Sequence, residues 1–123
     1  MIKSGMPTPS PSAEELYHRG LDRLAEGDAA GAAQSLRLCL ETDPSMLDAM
    51  HGLIRALQEQ GELDAAIAVA QRLLQLDPEE VLAHTSLSML YQRKGMIAEA
   101  EAEALKAKLL GWKKQLRQQK PTQ

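Results

Sequence analysis

Residues 60–78, QGELDAAIAVAQRLLQLDP, carry a turn signal, a helical stripe and a stop signal in succession. Ala66, Ala70, Leu73 and Leu74 recur at the spacing that gathers small and apolar side chains on one helical face. Gly61 stands just before this helix, where a chain that reverses direction needs a residue tolerant of the left-handed backbone conformation. Asp77-Pro78 follows it, and proline has no N–H with which to continue a helix. The same frame recurs with a period of 34 residues, in Gly27, Gly61 and Gly95, in Ala32, Ala66 and Ala100, and in Asp43-Pro44 and Asp77-Pro78.

That register divides the chain into units 13–46, 47–80 and 81–114. Residues 1–12, with Pro7, Pro9 and Pro11, read as an extended Pro/Ser-rich tail, and residues 115–123 as the basic end of a capping segment. Each unit predicts two helices. The first helices carry Leu16, Gly20 and Leu24, then Met50, Leu53 and Leu57, then Leu87, Leu90 and Tyr91. The second carry Ala32, Leu36, Cys39 and Leu40, then the stripe quoted above, then Ala100, Ala104 and Ala107. Ser12 followed by Glu15 has capping-box spacing, Ser45 followed by Asp48 is a weaker version, and Glu79-Glu80 place carboxylates at the positive end of a helix dipole. Pro44 and Pro78 are expected in the first turns of the helices that follow.

The segment 66–78 with Gln60-Gly61-Glu62-Leu63 before it resembles the loop and second helix of a tetratricopeptide repeat, and Ala32 to Pro44 resembles it almost as well. The resemblance covers residues 13–114. It implies an all-α fold, a right-handed α-solenoid of three helix-turn-helix repeats with a C-terminal capping helix. First helices would line a concave groove and second helices the outer wall. Aromatics common in the family are replaced by Leu16, Met50 and His84 in the first helices and by Leu36, Ala70 and Ala104 in the second, and the third unit ends in Gly111-Trp112 rather than Asp-Pro. Trp112 and Leu116 are expected to cover the last repeat.

With no Phe, one Trp and two Tyr, the core must be built from Leu, Ala, Met and Ile, a composition that favours helix over strand. Cys39 is the only cysteine, which excludes an intramolecular disulfide and clustered-thiolate metal sites, and it is expected to be a buried structural thiol. No run approaches the roughly 18 apolar residues of a membrane span, and the start lacks the apolar stretch of a secretory signal, so the reading is cytoplasmic with no membrane. Residues 1–103 carry 8 basic and 17 acidic side chains, a balance of −9, whereas residues 104–123 carry 6 basic and none acidic. An acidic body thus ends in a basic segment.

No phosphate-cradling glycine loop, zinc spacing or nucleophile-base pairing is present, so no catalytic residue, metal or cofactor is assigned and the chain is read as not an enzyme. His18, His51 and His84 lie 33 apart, one short of the repeat, which turns each about 100° from the last in the repeat frame. The first two are expected at the groove and His84 in the packing seam. The basic tail of Lys113, Lys114, Arg117 and Lys120 reads as a solvated cap able to meet an acidic partner. A single Trp and an acidic body argue against nucleic acid.

The family's groove columns correspond here to Glu14, Tyr17, His18 and Leu21, to Asp48, His51, Gly52 and Arg55, and to Leu82, Thr85, Ser86 and Met89. Tyr17, His18, Leu21, His51, Arg55, Leu82, Ser86 and Met89 are the candidate partner-binding residues. Family members that bind chaperone tails clamp a terminal carboxylate with Lys, Asn and Arg. The matching positions hold Tyr17, Leu21, Gly52, Leu82 and Ser86, so tails ending in Glu-Glu-Val-Asp are not expected as partners. The expected function is a protein-interaction adaptor or scaffold that holds an apolar protein segment with an acidic group. The alternative is a non-catalytic small subunit built into a larger enzyme or oligomer, and exposed Leu and Met leave self-association open.

Overall fold

In the computed structural model, which describes residues 9–119, six α-helices follow one another: α1 Ala13–Ala25, α2 Ala29–Thr42, α3 Leu47–Glu59, α4 Leu63–Leu76, α5 Val81–Arg93 and α6 Ile97–Gln118. Of the expected N-terminal tail, residues 1–8 and the reading placed on them lie outside the described residues, as does Lys120. Residues 9–12 are non-helical.

The turn inside each helix pair has one mechanism. Gly27, Gly61 and Gly95 take φ values of 82°, 76° and 78°, and each sits one residue past the last helical cap. The Gly27 amide bonds the Leu24 carbonyl at 3.1 Å and the Asp28 amide bonds the Arg23 carbonyl at 2.8 Å, so two orphan carbonyls of α1 are satisfied as the chain reverses. Glu62 to Leu57 at 2.9 Å and Met96 to Tyr91 at 2.8 Å repeat the arrangement. The turns between pairs differ. Met46 N–H reaches the Asp43 carbonyl at 3.3 Å and Glu80 N–H the Asp77 carbonyl at 3.1 Å, which makes Pro44 and Pro78 the second residues of tight turns.

Those turns correct one expected entry cap and the expected place of both prolines. Ser12 and Glu15 form the capping box, with Glu15 N–H to Ser12 Oγ at 3.1 Å and Ser12 N–H to Glu15 Oε1 at 2.8 Å. Ser45 does not cap α3. The proline turn carries the chain one residue further before the helix begins, so Met46 is the cap residue, and Ser45 donates instead to Asp43 Oδ1. For the same reason neither proline lies in a first helical turn. Asp28, which the spacing did not single out, caps α2 by accepting from Gly31 N–H at 2.9 Å, and also receives Arg23 at 3.1 Å. The Gly31 amide first and Arg23 after it hold the Asp28 carboxyl below its ordinary range.

Each helix packs on the next, and α1 with α3 and α3 with α5 also touch. One apolar core runs from Leu16 to Leu90 through Leu36, Met50, Leu57, Ala66, Ala70 and Leu73. Leu36 is its tightest fixture, fully buried, and a Cβ added to Gly20 would stand 2.6 Å from its Cγ while one added to Gly52 would stand 3.1 Å from its Cδ1. Cys39 is buried with its thiol 3.6 Å from the Met46 sulfur, and burial pushes that thiol above its ordinary pKa.

The last repeat departs from the expected stripe. Ala100 is buried, but Ala104 is exposed and Ala107 only half-buried, because α6 packs on α5 alone among the helices whereas α2 and α4 are each held between two. The capping helix is present as the continuation of α6, which runs through Gly111-Trp112 without a break. Trp112 and Leu116 do not cover the last repeat: both point outward, 62% and 67% exposed.

These contacts set two glycine substitutions in opposite directions. Gly20→Ala is expected to lower stability by about 1–3 kcal/mol, because Leu36 has no room to retreat. Gly111→Ala, with nothing within 4 Å of the added Cβ, is expected to raise it by about 0.5–1 kcal/mol through helix propensity. Thermal or urea unfolding of the two variants measures both signs.

Candidate functional site

The 34-residue register turns the first helices into columns. Leu21, Arg55 and Met89 share one column, His18, Gly52 and Ser86 another, Tyr17, His51 and Thr85 a third, and Glu14, Asp48 and Leu82 a fourth. Because α3 touches both α1 and α5, the columns lie side by side on one face. The face is apolar at its ends. Leu82 and Met89 are exposed, Leu21 stands at the margin of exposure, and the Tyr17 and His18 rings pack tilted with centroids 5.4 Å apart.

Several candidate residues are already engaged. His51 Nε2 lies 2.8 Å from Glu80 Oε1, with both side chains half-buried, and so ties α3 to the turn before α5. Arg55 pairs with Glu59 at 3.2 Å along its own helix. Ser86 is half-buried, and Gly52 is buried where Leu36 presses on it. The sequence reading missed Arg93. It shares with Arg55, Gln58 and Glu59 an open hollow of about 510 Å³ between α3 and α5, and its guanidinium donates to the Gln58 carbonyl at 3.3 Å. The available signal was the register, since Arg93 stands one repeat beyond Glu59. This hollow holds two guanidiniums against one carboxylate.

The basic tail is partly spoken for. Lys113 Nζ meets Glu79 Oε2 at 3.0 Å and Arg117 meets Glu79 Oε1 at 3.2 Å, closing the end of α6 onto the turn between α4 and α5. The hydrogen bonds from Lys113 and Arg117 hold the Glu79 carboxyl below its ordinary range. Lys114 is half-buried.

His84 stands where the earlier repeats place Leu16 and Met50, and all three are buried. A polar ring there must find partners. His84 Nδ1 lies 2.7 Å from Glu103 Oε1 and Nε2 lies 3.0 Å from the Pro78 carbonyl. The Glu103 carboxylate and the Pro78 carbonyl thus give the buried ring an oxygen neighbour at each nitrogen. Lys106 adds a third contact to Glu103 at 3.2 Å. Among the described residues no three His, Cys, Asp or Glu side chains are grouped to hold a metal ion.

Six antiparallel helices in three registered pairs, with apolar anchors and paired charges on the face of the first helices, define a helical-repeat protein with an open surface. The Tetratricopeptide repeat family profile matches residues 23–90, more than half of the chain, and the chain belongs to that family. No curated protein matches it in sequence. Among solved structures, a crystal structure of MamA superposes with a TM-score of 0.81 at 26% identity, covering 84% of this chain and 60% of MamA. The Yersinia enterocolitica type III secretion translocator chaperone SycD gives 0.76 at 23% identity over 80% of this chain and 73% of that one. The second tetratricopeptide module of Spaghetti (RPAP3), solved bound to an HSP90 peptide, gives 0.76 at 17% identity over 80% and 92%. This chain thus spans about 60% of the length of MamA. No described helix is long and apolar enough to cross a membrane.

The buried pair generates a pH dependence. Burial alone would raise the Glu103 carboxyl, but the His84 hydrogen bond and Lys106 outweigh it and the net direction is downward. A depressed carboxyl contributes stability that is complete above its unfolded pKa and is lost as pH falls through the folded one. Glu103→Gln is therefore expected to cost about 1–2 kcal/mol at pH 7, with the difference from the parent closing towards pH 3. Urea melts at the two pH values check it.

Proposed function

We propose that the chain is a non-catalytic adaptor that holds a segment of a partner protein along the face of α1, α3 and α5. The observation that carries this reading is the side-by-side set of Leu21, Leu82 and Met89 on an open surface, with Arg55 between them and Arg93 one helical turn beyond Met89. Interface energy concentrates in a few anchors of this kind, with Arg favoured among them. The partner segment would present apolar side chains spaced to meet Leu21 and Met89, and an acidic group at the Arg55 and Arg93 hollow. The structures that share the fold support protein binding as the general role: SycD is a chaperone for translocators, and the RPAP3 module holds a peptide.

Chaperone tails are not the ligand in this proposal, because the positions that match the clamp hold Tyr17, Leu21, Gly52, Leu82 and Ser86, none of which offers a cation to a terminal carboxylate. A fold shared with a tail-binding module does not transfer that specificity, since the side chains make it. Peptides ending in Glu-Glu-Val-Asp are expected to show no binding in calorimetry at 100 µM or so, well above a micromolar Kd. Micromolar binding that vanishes on amidating the peptide terminus would remove this part of the proposal.

A second reading, a small subunit embedded in a larger assembly, draws on a hollow of about 280 Å³ on the other side of the molecule, floored by Met50 and Leu53 and rimmed by Arg37, Glu41 and Arg72. Affinity capture from the native source with four variants separates the two. Leu21→Glu and Arg55→Glu are each expected to weaken capture by about 2 kcal/mol or more, while Gln34→Glu and Gln75→Glu on the second helices leave it intact. The reverse pattern would place the partner on the second-helix side and end the adaptor reading.

A further inference from the structure

The outward side of α6 differs in kind from that of the other second helices. In the repeat register, α2 presents Ala30, Gln34, Arg37 and Glu41 to solvent and α4 presents Asp64, Ala68, Gln71 and Gln75. At the same columns α6 presents Ala98, Ala102, Leu105 and Leu109 and continues with Trp112 and Leu116. Leu105, Leu109, Trp112 and Leu116 are 55%, 51%, 62% and 67% exposed. All six residues follow one another at alternating steps of four and three, the heptad seam by which helices pair. The seam lies on the side of α6 away from α5, the only helix it touches. The repeat itself does not require apolar residues there, because two earlier copies do without them.

We infer that this seam is an interface for a second copy of the same chain, with the two α6 helices antiparallel. The sizes along the seam point to that orientation: Ala98 and Ala102 occupy its first half, Trp112 and Leu116 its last. Antiparallel pairing sets Trp112 over Ala102 of the other copy, Leu116 over Ala98, and Leu105 against Leu109. Parallel pairing would crowd Trp112 against Trp112 and leave alanine facing alanine.

The charges agree. The first half of α6 carries Glu99, Glu101 and Glu103 with no basic residue, and the second half carries Lys106, Lys108, Lys113, Lys114 and Arg117 with no acidic one. Glu103 and Lys114 turn towards α5, so the charges beside the seam are Glu99 and Glu101 in the first half and Lys106, Lys108, Lys113 and Arg117 in the second, the last two also reaching Glu79. An antiparallel pair lays these acidic and basic halves together, and charges beside the seam set orientation in helix pairs. Only Lys106 and Lys108 meet their own counterparts near the centre, and Lys106 is already matched by Glu103. A helix of 22 residues is about 33 Å long, enough for three layers on either side of the two-fold axis. The groove of α1, α3 and α5 stays free in each copy, so the dimer would offer two partner sites.

Sedimentation analysis of the full chain across micromolar to half-millimolar concentration tests this, with emission of the single Trp as a second readout. The mass is expected to double as concentration rises, with Trp112 emission shifting to the blue. Leu109→Glu, at an exposed position, is expected to keep its helix content and weaken association by about 100-fold or more. Leu21→Glu in the groove is expected to leave the dimer unchanged. Orientation is read by oxidation: a mixture of Ala102→Cys and Trp112→Cys chains is expected to form a disulfide and Ala102→Cys chains alone are not, Cys39 being fully buried. A monomer at every concentration, a dimer indifferent to Leu109→Glu, or one abolished by Leu21→Glu overturns the interface. Cross-linking of Ala102→Cys chains alone overturns its orientation.

Discussion

The seat of Leu36 between Gly20 and Gly52 is the constraint on which the first half of the solenoid depends. One side chain from the second helix of the first repeat enters space left by glycine on the first helices of two successive repeats, so a single residue fixes both the pairing within a repeat and the stacking of the next. One period on, the sizes are exchanged: Ile54 replaces Gly20 on the first helix and Ala70 replaces Leu36 on the second, and both are buried. The pair keeps a similar total volume while its division changes, which is how a close-packed interior tolerates sequence drift. In arrays whose stability comes from neighbouring repeats, each such pair carries part of the cooperativity of the whole.

The third repeat answers a different demand. Placing a histidine in the column of Leu16 and Met50 puts a polar ring in the seam, and its two nitrogens then dictate the surroundings. Glu103 comes from α6 and the Pro78 carbonyl from the preceding turn, so one buried residue joins three segments. Such a network adds directional specificity at the end of the array, where only one neighbouring repeat is present to stack against. The ties of Glu80 to His51 and of Glu79 to Lys113 and Arg117 act in the same region, and the acidic pair after Pro78 is spent on holding repeats together as well as on the dipole of α5.

The fold was legible because it is written three times. Gly27, Gly61 and Gly95 each take a left-handed backbone, and their return every 34 positions marks the same turn in three successive helix pairs. Caps were less legible: Ser45 has the right side chain, but the turn set by Pro44 displaces the helix start by one residue, a consequence of backbone geometry that spacing alone does not carry. The candidate groove could be named by column, yet its charge balance could not. The pairing of His51 with Glu80 joins the two ends of one repeat and the meeting of Arg93 with Arg55 crosses from one repeat to the next, both at separations where sequence adjacency says nothing. Apolar residues at helical spacing usually face the core, so the sequence alone points Trp112 and Leu116 at the last repeat. The direction they face depends on the rotation of α6 about its axis, which is fixed by Ala100 and Glu103 meeting α5.

That rotation shows how a solenoid resolves its end. A repeat array must stop, and its last helix must either turn polar on the open side or find something to lie against. Here the two solutions are divided along one helix and between two of its sides. Towards the position a fourth repeat would take, α6 offers Glu101, Ala104 and Lys108, small or charged groups that give another repeat no apolar purchase. Away from α5 it offers large apolar groups in heptad order. Further stacking in the direction of the solenoid is thereby disfavoured while pairing across its end is favoured. An interface closed by a two-fold axis consumes the exposed surface completely, whereas head-to-tail stacking would leave another open end at every step.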